Sequence, residues 1–274
     1  ANLWQLPLSA QIDYIQSIAE AGCVRGAPEP ETFVEWIKWK LGKRIAEEYM
    51  LPYNKKIWSI PLDQLGVYWL YKLPSVSFRE TLQSCLERKT VGTLPAHGTF
   101  LYPGRHGYGE VWRRMGAALE SQLLLASPVF SIDWKNKIIN NSIKYDYLTT
   151  TIPWTEWLNI APLPSELQEA IKDLQFVSID VEYQNFCQNS RGYWTETNSK
   201  RSSTTDNFRY RNNYAYPVNT MNKPVVLTKI INWATSKDII PIGRWGLWEH
   251  MNSDVAVESA LRTASNALKK KYQT

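Results

Sequence analysis

Cysteine is scarce: Cys23, Cys85 and Cys187 are odd in number, far apart and without a C-x-x-C pair. That argues against a disulfide framework or a zinc ribbon and fits a reducing cytoplasm. Histidine is as rare. His97, His106 and His250 show neither metal-ligand spacing nor an H-E-x-x-H pattern, so metal catalysis has no support. The 13 glycines form no P-loop and no G-x-S-x-G elbow, and residues 1–40 hold no strand followed by G-x-G-x-x-G. That motif is the arrangement by which backbone amides approach a pyrophosphate. No apolar run is long enough to span a membrane, and no signal-peptide pattern is present. Asn140-Asn141-Ser142 has the form of a glycosylation sequon, a pattern short enough to arise by chance. Excess charge is small, with 31 basic against 26 acidic residues and a net +5. The basic residues are dispersed except for Lys269-Lys270-Lys271, which suits a small anionic ligand and not nucleic acid.

What the chain does have is rings. Thirteen Trp and 15 Tyr among 274 residues point to an aromatic core, a docking surface, or pockets where sugars and bases stack. With 44% hydrophobic and 21% charged residues, the composition is that of a globular protein with one large domain or two modest ones.

The first half reads as helical. Ile12, Ile15, Ile18 and Ala19 recur at helical spacing, and Phe33, Trp36, Ile37 and Leu41 mark a second amphipathic segment. This segment, or its continuation through Ile45 and Tyr49, is expected to end at Pro52. Further helices are predicted near Pro61, over 79–88 and over 110–125. The Gly107-Tyr108-Gly109 turn places His106 beside the start of the last of these, either for acid–base work or phosphate contact or simply in solvent. Short β-type runs at 129–134, 137–143, 147–152 and 176–183 predict an antiparallel sheet. Residues 188–207 are polar and aperiodic, a lid-like loop or an ordinary surface insertion. A final helix is expected after His250, capped by Asn252 or Ser253, with Val257, Ala260, Leu261, Ala264 and Leu268 as its apolar face.

Several stretches, in this order, resemble the UDP-galactopyranose mutase-like branch of the FAD-dependent amine oxidoreductase superfamily. They are Tyr53-Asn-Lys-Lys-Ile-Trp58, Tyr102-Pro-Gly-Arg-His-Gly-Tyr-Gly109, Pro128-Val-Phe-Ser-Ile132, Tyr145-Asp-Tyr-Leu-Thr-Thr-Thr-Ile-Pro153, Tyr216-Pro-Val-Asn219 and the segment from Gly243-Arg244. Together they cover most of residues 33–265, and the family's opening dinucleotide-binding unit has no match. The resemblance implies an α+β fold: a helical substrate domain (1–126), a twisted, mostly antiparallel sheet region (127–242), and a C-terminal flavin-side segment and helix (243–274) from a discontinuous FAD-binding domain.

It also implies FAD as cofactor, near Val129, Thr150, Thr151, Pro153, Gly243, Arg244, Asn252 and Ser253. Without the family, Val129 is a strand residue, Arg244 an ion-pair partner and Asn252 a helix cap. The implied substrate-side residues are Tyr53, Asn54, Lys55, Trp58, His106, Tyr108, Arg209, Tyr216, Trp248 and His250; Lys55 reads equally as a solvated helix-end lysine. Lys72-Leu73-Pro74-Ser75-Val76 lacks the arginine expected at its end, and His250 and Asn252 stand where a tyrosine and an aspartate are expected. Substrate identity therefore does not carry over.

The expectation is a flavoprotein portion, oxidoreductase or isomerase, acting on a polar sugar- or nucleotide-linked molecule. A separate FAD-binding chain or a homo-oligomer would be its partner. The alternatives are a non-catalytic descendant that binds a ligand or partner, and a carbohydrate-binding protein with stacking Trp residues. No residue is assigned as catalytic.

Overall fold

The computed structural model describes residues 3–73, 77–92, 101–183 and 208–272. His97, Cys187, the 188–207 stretch and the end of the Lys72-Leu73-Pro74-Ser75-Val76 run lie outside these residues, as do the side chains of Leu268 and the terminal lysines. The chain divides into two compact units, one made of Ala1–Met50 and Tyr68–Phe130, the other of Leu51–Val67 and Ser131–Thr274.

The first unit is helical. Helices α1 (Leu8–Glu20) and α2 (Gly22–Arg25) lead into α3 (Phe33–Leu41), which buries Phe33, Trp36, Ile37 and Leu41. The 3.6-residue period of these four positions makes them one face, and Phe33 stacks on Trp69 with ring centroids 6.2 Å apart. Helix α1 departs from its pattern. Only Ile18 is buried, while Ile12 borders an open apolar groove with Leu82 and Leu86.

After α4 (Lys43–Ile45) the chain widens into a π-helical turn, Ala46–Met50, and continues as α5 (Leu51–Trp58) in the second unit. Pro52 therefore does not end a helix. It sits where the π-helical turn Ala46–Met50 passes into α5, a departure from regular helix geometry of the kind at which proline is accommodated. Near Pro61 a single 3₁₀ turn, Leu62–Gln64, replaces the expected helix.

Back in the first unit, α6 (Phe78–Glu87) begins with Ser77, whose Oγ accepts from the Glu80 amide at 3.2 Å, and closes on Arg88 in the left-handed region. Helix α7 (Gly109–Ala117) stops short of the predicted 110–125, and a 3₁₀ turn, Glu120–Gln122, follows.

The second unit is mixed. The expected single antiparallel sheet is instead three small sheets among the described residues. Strands β1 (Ile132–Asp133), β2 (Ile138–Ile139) and β3 (Ile143–Lys144) form an antiparallel meander. Strand β4 (Leu148–Thr150) pairs in parallel with a distant partner, described below. The region read as sheet also contains α8 (Trp154–Ile160) and α9 (Ser165–Lys172) before β5 (Phe176–Tyr183) pairs antiparallel with β6 (Phe208–Pro217). Helix α10 (Lys223–Thr235) precedes β7 (Ile239–Pro241), the parallel partner of β4.

The missed helices have a sequence signal. Pro153 and Pro164 stand immediately before α8 and α9, and Pro224 in the first turn of α10, positions at helix starts that proline tolerates. The chain ends in the single turn α11 (Gly243–Gly246) and α12 (Ser253–Tyr272).

Helix α12 does not bury the stripe its sequence predicts. Ser259 is its buried residue among those described, Ala264 is exposed and Leu261 is 65% exposed. The core of this unit lies around Trp154, Trp157, Ile171, Ile230, Ile239 and Trp248. At its tightest point the Trp154 indole N–H donates to Gly246 O at 2.8 Å. A Cβ on Gly246 would lie 2.6 Å from Thr150 O and 3.2 Å from Pro241 backbone atoms. Gly246→Ala is therefore expected to lower stability by about 1–3 kcal/mol through overpacking of the β4–β7 pair, read as a reduced urea midpoint at unchanged slope.

Candidate functional site

Strand β6 runs to Pro217, and its alternation buries Ala215 and Pro217 while leaving Tyr216 half-buried. Three aromatic or cationic groups gather on that one ring. His250 stacks on Tyr216 at 4.8 Å with the planes 29° apart, Trp58 meets it edge-on at 6.5 Å, and the Arg244 guanidinium lies 5.3 Å from its centroid. Trp58 is fixed in turn by donating its indole N–H to Asn54 Oδ1 at 2.9 Å, both residues being buried in α5. A ladder Asn54, Trp58, Tyr216, His250 results, with a cation over its central ring.

Arg244 is less free than the resemblance implies. Its guanidinium donates to Ala215 O at 2.9 Å and to Met251 O at 2.8 Å, tying β6 to the turn before α12. These are backbone carbonyls rather than an acid, so the ion-pair alternative is not what the structure shows. Two of the five N–H donors are used by these bonds.

Thr150, Thr151 and Gly243 meet where the parallel strands β4 and β7 end. The Ile242 amide donates to Thr150 O at 3.0 Å, Thr151 is exposed, and a Cβ on Gly243 would come no nearer than 3.6 Å to Thr151 Cγ2. Gly243 has φ +68°, a conformation that favours glycine. Carboxyl ends of parallel strands are where open α/β sheets take ligands. Pro153 opens α8, and Asn252 and Ser253 are exposed at the start of α12, where Asn252 O accepts from the Ala256 amide at 3.1 Å.

The other predicted residues have their own surroundings. Tyr53 and Lys55 are exposed on α5. Arg209 is exposed and faces Glu182 across the β5–β6 ladder, 3.4 Å away. Trp248, expected against substrate, is fully buried and donates its N–H to Gln175 O at 3.2 Å, so it is a core residue. Val129, His106 and Tyr108 belong to the first unit. Val129 is half-buried, His106 is exposed in a turn at φ +65°, and Tyr108 packs edge-on against Trp112 at 5.7 Å.

Two polar features escape the sequence. Lys223, 5% exposed, donates to Asn219 Oδ1 at 2.6 Å and to Trp248 O at 2.8 Å. It thereby anchors the turn that carries His250. A lysine beside a helix-starting proline looks like a solvated residue, and nothing in its neighbours marks it as buried. Tyr214 is the second. Its hydroxyl bonds to the Glu156 carboxylate and lies 3.2 Å from Thr155 Oγ1, while its ring stacks on Phe176 at 4.6 Å. Burial, and then the Glu156 carboxylate, hold the Tyr214 phenol above its ordinary range. Among the described residues no cluster of three or more His, Cys, Asp or Glu could hold a metal ion, and no helix is long and apolar enough to cross a membrane.

Lys223→Met leaves Asn219 Oδ1 and Trp248 O without their buried donor, and a loss of about 2 kcal/mol is expected in urea unfolding. The raised Tyr214 pKa carries the opposite pH signature to a carboxylate whose pKa is depressed. Its stabilisation is fully present below the unfolded value of about 10 and is lost as pH rises through the folded value. The stability gap between wild type and Tyr214→Phe is therefore expected to stay constant up to about pH 9 and to narrow as pH rises past about 10, as measured by urea midpoints.

No protein-family model matches the chain. Its fold is similar to the crystal structure of reduced UDP-galactopyranose mutase, with a TM-score of 0.75 and 18% sequence identity over 90% of this chain and 68% of that chain. The mixed helix-and-sheet fold is thus mutase-like, and at this identity the likeness is one of fold.

Proposed function

We propose that the chain is the substrate-domain and C-terminal portion of an FAD-dependent oxidoreductase or sugar mutase acting on a polar, sugar- or nucleotide-linked substrate. The observation that carries this reading is the Tyr216 ladder in a mutase-like fold: stacked rings with a guanidinium above them suit a planar or sugar ring attached to an anion. FAD would supply the redox or nucleophilic chemistry, and the protein the orientation and electrostatics. The residues at the ends of β4 and β7 fit such a group. Thr151 offers an exposed hydroxyl, Gly243 leaves space where a side chain would stand, and Arg244 has N–H donors beyond the two its carbonyl bonds use. Thr150, Pro153, Asn252 and Ser253 complete this set. Tyr216 and His250 would face the substrate, with Trp58 and Asn54 holding the stack in place.

The chain contains no fingerprint loop for a pyrophosphate, so the reading requires a dinucleotide-binding unit supplied in trans or by further sequence. A second reading, a non-catalytic descendant that binds a ligand or a partner, draws on the engagement of Arg244 by two carbonyls and the burial of Trp248. Those are features of a site used for structure.

The two readings part on cofactor binding. Under the flavin reading, calorimetric titration with FAD and the absorbance spectrum are expected to show bound flavin at micromolar affinity once a dinucleotide-binding unit is present, and with the purified chain alone only where a partial cradle or self-association replaces the missing fingerprint. Tyr216→Ala is expected to weaken binding of nucleotide sugars to the flavin-loaded protein by at least about tenfold, the loss of roughly 1.4 kcal/mol of stacking. Absence of both flavin and binding heat from the chain alone would leave the split-enzyme and non-catalytic readings, and absence of both with a dinucleotide-binding unit present would leave the non-catalytic one.

A further inference from the structure

A cleft of about 330 Å³ opens in the first unit, where the end of α1 and the short α2 meet α3. Every residue that lines it lies between Ser17 and Lys43, within Ala1–Met50 of the first unit, whereas the Tyr216 ladder belongs to the second. Its apolar wall is Trp39 and Pro30, both half-buried. Trp39 is held in place. Its indole N–H donates to Ala27 O at 3.1 Å, and its ring lies against Gly22, where an added Cβ would collide with Cδ1 and stand 2.9 Å from Nε1. A ring fixed before a ligand arrives loses little freedom on binding one.

The polar wall carries both signs of charge equally. Glu20 and Glu35 are its carboxylates, Lys38 and Lys43 its ammonium groups. Glu20 accepts from Gln16 Nε2 at 3.0 Å and Glu35 from Lys38 Nζ at 3.1 Å. A carboxylate accepts several bonds and an ammonium group donates three, so these groups keep capacity toward a ligand. Ser17 Oγ accepts from the Arg44 amide at 2.9 Å, which leaves its own proton to be donated.

This inventory selects the ligand. An anion or a cation would meet two charges of its own sign beside two of the opposite one, and the terms largely cancel. A hydroxyl both donates and accepts, so a neutral polyol satisfies carboxylate, ammonium and serine together. The C–H face of a pyranose is apolar and matches an indole in breadth, and the cleft lies at the small end of ligand pockets, roughly 300–1,000 Å³.

We infer that this cleft binds a neutral, unphosphorylated sugar, with the C–H face of the ring on Trp39 and its hydroxyls on Glu20, Glu35 and Lys43. The site does not depend on the flavin reading, and its ligand differs from the anion-bearing molecule proposed for the Tyr216 ladder.

Saturation-transfer NMR and calorimetry on the full chain test it, with methyl β-galactoside, maltose and N-acetylglucosamine as neutral probes and glucuronic acid and glucosamine as charged ones. A neutral sugar is expected to bind with a Kd on the order of 1 mM, at least about fivefold tighter than either charged sugar. Its strongest transfer is expected at the C–H protons of one ring face. Trp39→Ala is expected to weaken that binding at least about tenfold, and Gly22→Ala to weaken it by displacing the ring. Glu35→Ala and Lys43→Met change exposed positions, so they keep the melting temperature while each lowers affinity about threefold; they carry the test if Trp39→Ala does not fold. Tyr216→Ala is expected to leave neutral-sugar binding unchanged, which separates this cleft from the ladder. No signal from any neutral probe, preference for a charged sugar, binding that survives all four cleft variants, or binding lost in Tyr216→Ala overturns the inference.

Discussion

An ammonium group withdrawn from water has to be met by oxygen, and around Lys223 that requirement organises the second unit. Its two acceptors come from different places: Asn219 Oδ1 from the segment after β6, and Trp248 O from the turn after α11. With the lysine itself in the first turn of α10, three stretches of chain are held at one buried point. Arg244 repeats the device one layer away, joining β6 at Ala215 to the turn at Met251. The stack of Tyr216 and His250 lies between residues these two cations hold, so the geometry of the ladder is set by charge–carbonyl bonds more than by the rings.

This scheme explains why the Trp content resolves as it does. Trp58, Trp154, Trp157 and Trp248 are buried in the second unit, and three of their indole N–H groups reach an oxygen: Asn54 Oδ1, Gly246 O and Gln175 O. Buried indoles behave as oriented struts in which the ring supplies area and the N–H supplies direction. These four Trp residues therefore serve core construction, and under the proposed reading Tyr216 and His250 are the rings that face the substrate.

Helix α3 was legible because four large apolar residues at helical spacing all found a core, and α6 overlaps the segment predicted over 79–88, with a serine cap that the structure adds. Strand β4 was legible as a strand but not in its pairing. Alternation specifies which face is buried and carries no information about a parallel partner far along the chain, so β7 was missed. The helices α8, α9 and α10 were not among the predicted elements, although each carries a proline at its N-terminal end. At the site, Tyr216, Arg244, His250, Asn54 and Trp58 were indicated by motif order. Lys223 and Glu156 were not, because burial of a polar side chain depends on tertiary neighbours that no local pattern encodes.

The path of the chain through the two units has a consequence for how the protein is made. Residues 51–67 leave the first unit and belong to the second, and the chain then returns to the first at Tyr68. During synthesis the first unit is complete once Phe130 has emerged, while α5 waits for partners that appear only with β6 and beyond. The parallel pairing of β4 with β7 must wait longer still, and such distant contacts form slowly. A single cut between consecutive residues cannot free either unit whole. An early release of the ribosome-bound chain leaves α5, with Asn54 and Trp58, as an orphan waiting on material not yet translated.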